Sequence, residues 1–184
     1  MNASGWIQLL IYVLLLLAIT KPLGIYLMRV LDADGKTFLD LPIKWLEKLT
    51  YKLCGVDPRK EQNWKQYSVS MLIFSVVSMF FTYAILRLQD KLPLQGLLNP
   101  QKLPGLPEHL AFNTAVSFLT NTNWQSYGGE TTMSYLSQML ALAFHNFGSA
   151  AMGIAIAAAL VRGIARHSAQ TIGNFWTDFI RITY

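Results

Sequence analysis

Residues 108–119, Glu108-His109-Leu110-Ala111-Phe112-Asn113-Thr114-Ala115-Val116-Ser117-Phe118-Leu119, run straight into residues 120–130, Thr120-Asn121-Thr122-Asn123-Trp124-Gln125-Ser126-Tyr127-Gly128-Gly129-Glu130. The first half is largely apolar and helix-compatible, with Pro107 just before it and Glu108 placed where the helix dipole favours a carboxylate. A helix over 108–119 rises only about 18 Å, whereas a bilayer's hydrocarbon core is about 30 Å thick. It cannot cross, so a helix entering from outside must leave on the same side, and residues 120–130 form a polar return path. Non-helical backbone at membrane depth is tolerated only when buried in protein or facing a water-filled cavity, because each unsatisfied peptide group costs several kcal/mol in lipid. The pair therefore reads as a re-entrant helix and loop beside a pore. An interfacial helix followed by an ordinary polar loop is the plainer alternative.

Composition puts the chain in a membrane. Of 184 residues, 53% are hydrophobic and only 14% charged, against about a quarter charged in soluble domains. The apolar residues gather in long uncharged runs and do not repeat at helical or strand spacing. Residues 6–28 are apolar apart from Lys21, which can snorkel from near the inner end. No Lys or Arg precedes this run and no Ala-x-Ala site follows it, which favours an uncleaved anchor over a signal peptide. Residues 67–86 form a second span. Residues 133–161 form a third, about 43 Å long if wholly helical, which demands tilt, a break or protrusion. Gly148 and Gly153 permit close helix packing there.

The fold class expected is an all-α membrane protein with three transmembrane helices plus a re-entrant pore helix and filter loop. Residues 1–29 are an extra N-terminal span and 30–66 a cytoplasmic linker with an amphipathic helix. Residues 67–163 hold a span (67–88), an outer loop (89–107), the pore helix (108–119), the filter (120–124) and a further span (133–161). Residues 164–184 are a cytoplasmic tail. The outer loop is broken by Pro93, Pro100, Pro104 and Pro107 and by Gly96 and Gly105.

Orientation follows from the basic residues. Between the first two spans stand Arg29, Lys36, Lys44, Lys48, Lys52, Arg59, Lys60 and Lys65; residues 88–132 hold only Lys91 and Lys102; the tail has Arg162, Arg166 and Arg181. Cytoplasmic loops retain positive charge, so the amino terminus lies outside and the carboxyl terminus inside. The formal charge of +5 thus reads as topology, and no nucleic acid is expected as a partner. Within the linker, Ile43, Leu46, Leu49 and Leu53 share one helical face, while Lys44, Lys48 and Lys52 recur on another with Trp45 between. Two readings stay open: a helix lying on the inner leaflet, or one packed on its neighbours.

The re-entrant segment suits a cation. A helix descending from outside aims its negative carboxyl end at the membrane interior, and carbonyls of Thr120 to Asn123 can replace a hydration shell. Thr and Asn add oxygens without fixed charge, which favours a monovalent ion over a divalent one. Gly128 and Gly129 would allow the tight turn outward, and Glu130 would concentrate cations at the outer mouth.

Other candidates fall away. Gly35-Lys36-Thr37 resembles the end of a phosphate-binding loop, but Val30 stands where a glycine is required. Asp32 and Asp34 suit a calcium loop, yet Ile43 replaces its bidentate Glu. Cys54 is the only cysteine, which excludes an intrachain disulfide. His145 and Asn146 lie mid-span, where polar groups usually face the protein interior; an interhelical hydrogen bond by His145 is favoured over metal binding or proton relay. No nucleophile, base and orienting residue recur together, so no catalytic site is expected.

Residues 112–127, from Phe112 to Tyr127, closely resemble the potassium-binding, channel-like A subunit of Kdp-type potassium-transporting P-type ATPases. The likeness extends to Asn63-Trp64-Lys65-Gln66-Tyr67, Asn99-Pro100-Gln101, Leu103-Pro104-Gly105-Leu106 and Arg181-Ile182-Thr183. It covers essentially the whole chain, as that subunit's extra first helix plus the first of four helix, pore-loop, helix repeats. The resemblance implies uptake of K+ as transported ligand, with no other cofactor. It implies an ATP-hydrolysing P-type catalytic subunit and small single-span accessory subunits as partners, membrane lipid around them, and a bacterial inner membrane. Thr120, Asn121, Thr122 and Asn123 match the first filter strand and take its potassium-binding role. The family continues through three more repeats, so a truncated form supplying part of the coordination shell is expected. A homotetrameric passive channel and a non-transporting scaffold protein are the rival readings.

Overall fold

The computed structural model describes residues 3–32, 35–122, 124–166 and 170–184. Three helices in it are long and apolar enough to cross a membrane. The first, α1 (Ala3–Leu31), buries none of its apolar core stretch within the chain, so its Leu, Ile and Val side chains face outward along its length. Apolar side chains there are stable only in hydrocarbon or against further protein.

A shorter helix, α2 (Asp40–Cys54), follows and ends at Gly55, whose φ of 65° is the left-handed cap that glycine supplies freely. The second span, α3 (Trp64–Leu88), starts three residues before the apolar run. Asn63 caps it: its side chain accepts from the Gln66 amide at 3.0 Å, and the Gln66 side chain accepts from the Asn63 amide at 3.1 Å.

The outer connection is irregular except for one turn, α4 (Gln95–Leu98). Then come the half-length helix α5 (Glu108–Leu119) and a second single turn, α6 (Gly129–Thr132). The third span begins at Ser137 rather than Met133, because Met133 is extended (φ −106°, ψ 122°). It opens with a π-helical stretch, Ser137–Ala143, and continues as α7 (Phe144–Ala165). The span is still 29 residues long, Ser137–Ala165, with the π stretch as a change of winding inside it. Gly148 lies against Phe74 of α3, where an added Cβ would come within 3.7 Å of the ring, but Gly153 faces open space and packs on nothing.

The tail does not trail. Helix α8 (Phe175–Thr183), capped by the Asn174 side chain on the Trp176 and Thr177 amides, folds back onto α1, α2, α3 and α7. Phe175 is fully buried beside Tyr67 and Ala159, with Phe74, Trp176 and Phe179 around it. Polar bonds fasten this end as well. Gln62 and Gly173 pair as an antiparallel bridge, Arg162 engages Asp178, and Arg181 reaches Glu47 of α2 at 3.0 Å. Burial, then the hydrogen bond to Glu47, pushes the Tyr51 phenol well above its ordinary pKa. A second apolar core, built on Leu86, Leu106, Ala111, Phe118, Met133 and Ala141, lies around α5 at the other end of α3.

The predicted amphipathic face of α2 divides. Ile43 and Leu46 turn toward neighbouring helices, whereas Leu49 and Leu53 are exposed. The inward sector is drawn toward Glu47, which accepts from Arg181 of α8 and from the Tyr51 hydroxyl one turn along α2, and these polar bonds outrank the apolar count of that face.

Candidate functional site

Helix α5 lies against α3 and α7, burying Ala111, Thr114, Ala115, Ser117, Phe118 and Leu119. Its end is shaped by hydrogen bonding. The Thr122 amide donates to the Ser117 carbonyl at 3.0 Å and the Asn121 amide to the Phe118 carbonyl at 3.2 Å. Asn121 between them adopts φ 55°. This 6→1 and 5→2 pair around a left-handed residue is the Schellman ending, with asparagine in the place usually held by glycine. Left-handed backbone in this segment is thus found at Asn121 and not at Gly128 or Gly129. Gly128 is extended (φ −89°, ψ 116°) and Gly129 already helical, so the glycine pair makes no reversal.

The hydroxyls complete the cap. Thr120 Oγ1 reaches the Val116 carbonyl at 2.9 Å, and Thr122 Oγ1 reaches the Ser117 carbonyl at 3.1 Å. The two hydroxyls lie 2.8 Å apart. The orphan carbonyls of Val116, Ser117 and Phe118 are thus satisfied from within the loop. Among the described residues, no donor occupies the carbonyl oxygen of Thr120 or Thr122, and Thr120, Asn121 and Thr122 all stand exposed. Buried Ser117 donates its hydroxyl to the Trp124 carbonyl at 3.0 Å, which closes the loop against the helix it leaves. The indole of Trp124 stays 62% exposed.

Asn123 lies outside the described residues. Glu130 sits exposed in the first turn of α6, several residues beyond the loop. His145 is fully enclosed, its ring edge-on to Phe144 at 5.3 Å, and among the described residues neither ring nitrogen makes a well-formed hydrogen bond. The backbone of Ser78 in α3 faces this ring across the helix interface, on the side where the interhelical bond is expected. Asn146 is exposed on this chain.

What positions the loop is a residue that sequence reading passes over. Gln89, buried just beyond the end of α3, donates from Nε2 to the Pro104 carbonyl at 2.6 Å and to the Thr132 carbonyl at 2.9 Å. Its Oε1 accepts from the Ser134 amide at 3.0 Å and the Ser137 hydroxyl at 2.8 Å. All four bonds that a carboxamide can make are present, and they join the approach to α5 with the exit from the return loop. Nearby, the Leu106 amide donates to the Leu86 carbonyl at 3.1 Å and Arg87 donates to the Leu106 carbonyl at 2.5 Å. Only an uncharged amide among loop prolines hints at this in the sequence.

The described residues thus define an all-α membrane protein in which a short capped helix and its return loop lie between two spans. Comparison with known proteins narrows this. The family model described as "Potassium-transporting ATPase A subunit" matches residues 10–184, and the chain belongs to that family. It is 52% identical over 182 residues to a protein of Koribacter versatilis named "Potassium-transporting ATPase potassium-binding subunit", covering 98% of this chain and 30% of that one. Proteins of the same name from Caulobacter vibrioides (52% over 183 residues) and Methylacidiphilum infernorum (53% over 184 residues) match all of this chain and 31% of their own length. The chain therefore spans somewhat under a third of the curated relatives it matches.

Proposed function

We propose that this chain binds potassium and carries it through the membrane as part of an ATP-driven uptake pump, with K+ as its transported substrate. The observation that carries the reading is the end of α5. Its last carbonyls are satisfied internally, so a cation meets the outward carbonyls of Thr120 and Thr122 and the hydroxyls beside them. These oxygens bear no fixed charge and stand at the negative end of a helix dipole, conditions that suit partial dehydration of a monovalent ion. The name shared by the relatives supports potassium as that ion. One strand supplies only a fraction of a coordination shell, so further strands around the same axis complete it. Asn121 and Asn123 belong to the same strand, and Glu130 raises cation concentration at the mouth.

Energy comes from a partner subunit that hydrolyses ATP, with small single-span subunits beside it, in a bacterial inner membrane. The positive connections then face the cytoplasm and the amino terminus the outside.

The test is flux through a complete assembly in vesicles. Uptake should need ATP and the partner, and Thr122→Val should weaken the apparent affinity for K+ or its selectivity over Na+. Flux that proceeds without ATP would favour a passive channel, and ion dependence unchanged in Thr122→Val would remove the filter role.

A further inference from the structure

We propose that α2 is seated in the membrane surface, with its occupied face set by the acyl chains and headgroups of anionic phospholipid. Around this helix, at about 100° per residue, three sectors follow one another. The first faces protein: Ile43 and Leu46 turn inward, Glu47 holds Arg181, and the Thr50 hydroxyl meets the Tyr184 hydroxyl at 2.7 Å. The next carries Trp45, Leu49 and Leu53, which are 64%, 43% and 77% exposed. The third carries Lys44, Lys48 and Lys52, all exposed.

A helix whose apolar flank adjoins a lysine flank fits one environment: the boundary between acyl chains and headgroups, with an indole at that boundary. Anionic lipid is favoured over a protein partner by charge and by place. Lys44 shares its charge with Asp40 at 3.5 Å, whereas Lys48 and Lys52 make no ion pair among the described residues. The helix is tethered between the end of α1 and the start of α3, two spans whose connection holds six of the chain's fifteen Lys and Arg, with Arg29 and Lys65 at its borders, so both its tethers begin at membrane-crossing helices. Trp64, 63% exposed with Lys65 above its ring, marks the same level at the foot of α3.

The seat does not depend on which ion the protein carries. Each lysine near an anionic surface is worth about five-fold in occupancy, so the two free lysines bias α2 toward lipid by well over ten-fold.

The experiment is site-directed spin labelling of the chain in vesicles containing phosphatidylglycerol. In a Cys54→Ser background, labels enter at Leu49→Cys and, as a protein-facing control, at Leu46→Cys. The Leu49 label should be reached by oxygen and shielded from a water-soluble nickel chelate, while the Leu46 label is shielded from both. A Leu49 label relaxed chiefly by nickel would place α2 in water, and one shielded from both would place it under protein; either overturns the proposal. Lys48→Glu with Lys52→Glu should raise nickel access at Leu49 in phosphatidylglycerol vesicles and leave the control unchanged. Equal access in the charge-reversed chain would overturn the anionic part of the assignment.

Discussion

Arg162 holds Asp178 with both arms of its guanidinium, Nη1 on Oδ2 at 2.6 Å and Nη2 on Oδ1 at 2.9 Å. The carboxylate is only 4% exposed, and Tyr67 adds a hydroxyl to it at 3.1 Å. The same arginine donates to the Leu31 carbonyl at 2.9 Å, so one ion pair ties the end of α1, the foot of α3, the end of α7 and α8. Gly173 makes room for it: at φ 111° a Cβ there would collide with the guanidinium.

Removing one partner of a buried pair leaves the other charged and uncompensated, at a cost of about 3–5 kcal/mol. Asp178→Asn should lower stability by that order, visible as an earlier midpoint of thermal unfolding in micelles. Asp178→Asn combined with Arg162→Met should recover part of the loss. Additive losses would show that the two residues do not act as a pair.

Gln89 makes the second prediction. Gln89→Met keeps the volume but strands the Ser134 amide, the Ser137 hydroxyl and two carbonyls, each worth about 1–3 kcal/mol when buried without a partner. Amide exchange at residues 105–106 and 132–137 should quicken well before the rest of α3 is affected. In a complete assembly the apparent K+ affinity should fall more than the maximal rate. Exchange that is unchanged at both flanks would mean the loop is held by other contacts.

At Asn121 the test is conformational. Left-handed backbone costs a residue with a Cβ about 1–2 kcal/mol, a cost that asparagine reduces and glycine avoids. Asn121→Gly should therefore retain the turn, whereas Asn121→Val should destabilise it and detach the Thr122 amide from Ser117. The measurement is the exchange rate of the Thr122 amide in the two variants. Equal rates would count against the Schellman ending as the fixed point of the loop.

Acid should act at Glu61. The side-chain hydrogen bond from Arg166, followed by that from Thr171, holds this carboxyl below its usual range. A lowered folded-state value means that the contribution is complete above the ordinary carboxylate pKa and fades as pH falls through the lower folded value. The contact between residue 61 and the end of α7, followed by cross-linking between cysteines placed at Lys60 and Ala165, should loosen only below about pH 4. Glu61→Gln should show no such transition, and an inflection at the same pH in that variant would assign the effect elsewhere.

Much of this architecture is legible in the sequence, and the failures have two causes, local caps made by side chains and contacts made at long range. Uncharged runs reveal three spans because lipid imposes length and hydropathy locally. Helix α5 is legible because Pro107 opens it and the polar run after Leu119 closes it. Span ends are less so: α3 starts at Trp64 because two side chains cap each other, and the third span starts at Ser137 because Met133 and Ser134 are drawn out beside Gln89. The left-handed turn at Asn121 is local, set by Ser117 and Phe118 in a place where glycine is the usual signal, whereas the inward sector of α2 and the docking of α8 depend on partners distant in the chain. Hydropathy at one position carries no record of a hydrogen bond made with another more than forty residues away.

The π-helical stretch Ser137–Ala143 gives the third span a rotational phase as well as a length. Winding with i→i+5 bonds takes up a surplus residue within an otherwise α-helical rod. On one side of it Ser137 meets Gln89; on the other, the Ala155 carbonyl receives the Tyr67 hydroxyl at 2.8 Å. Deleting one residue between them would leave the hydropathy profile almost untouched, yet swing one of these contacts about 100° out of alignment. The two ends of the molecule are kept in step by a residue whose identity matters less than its being counted.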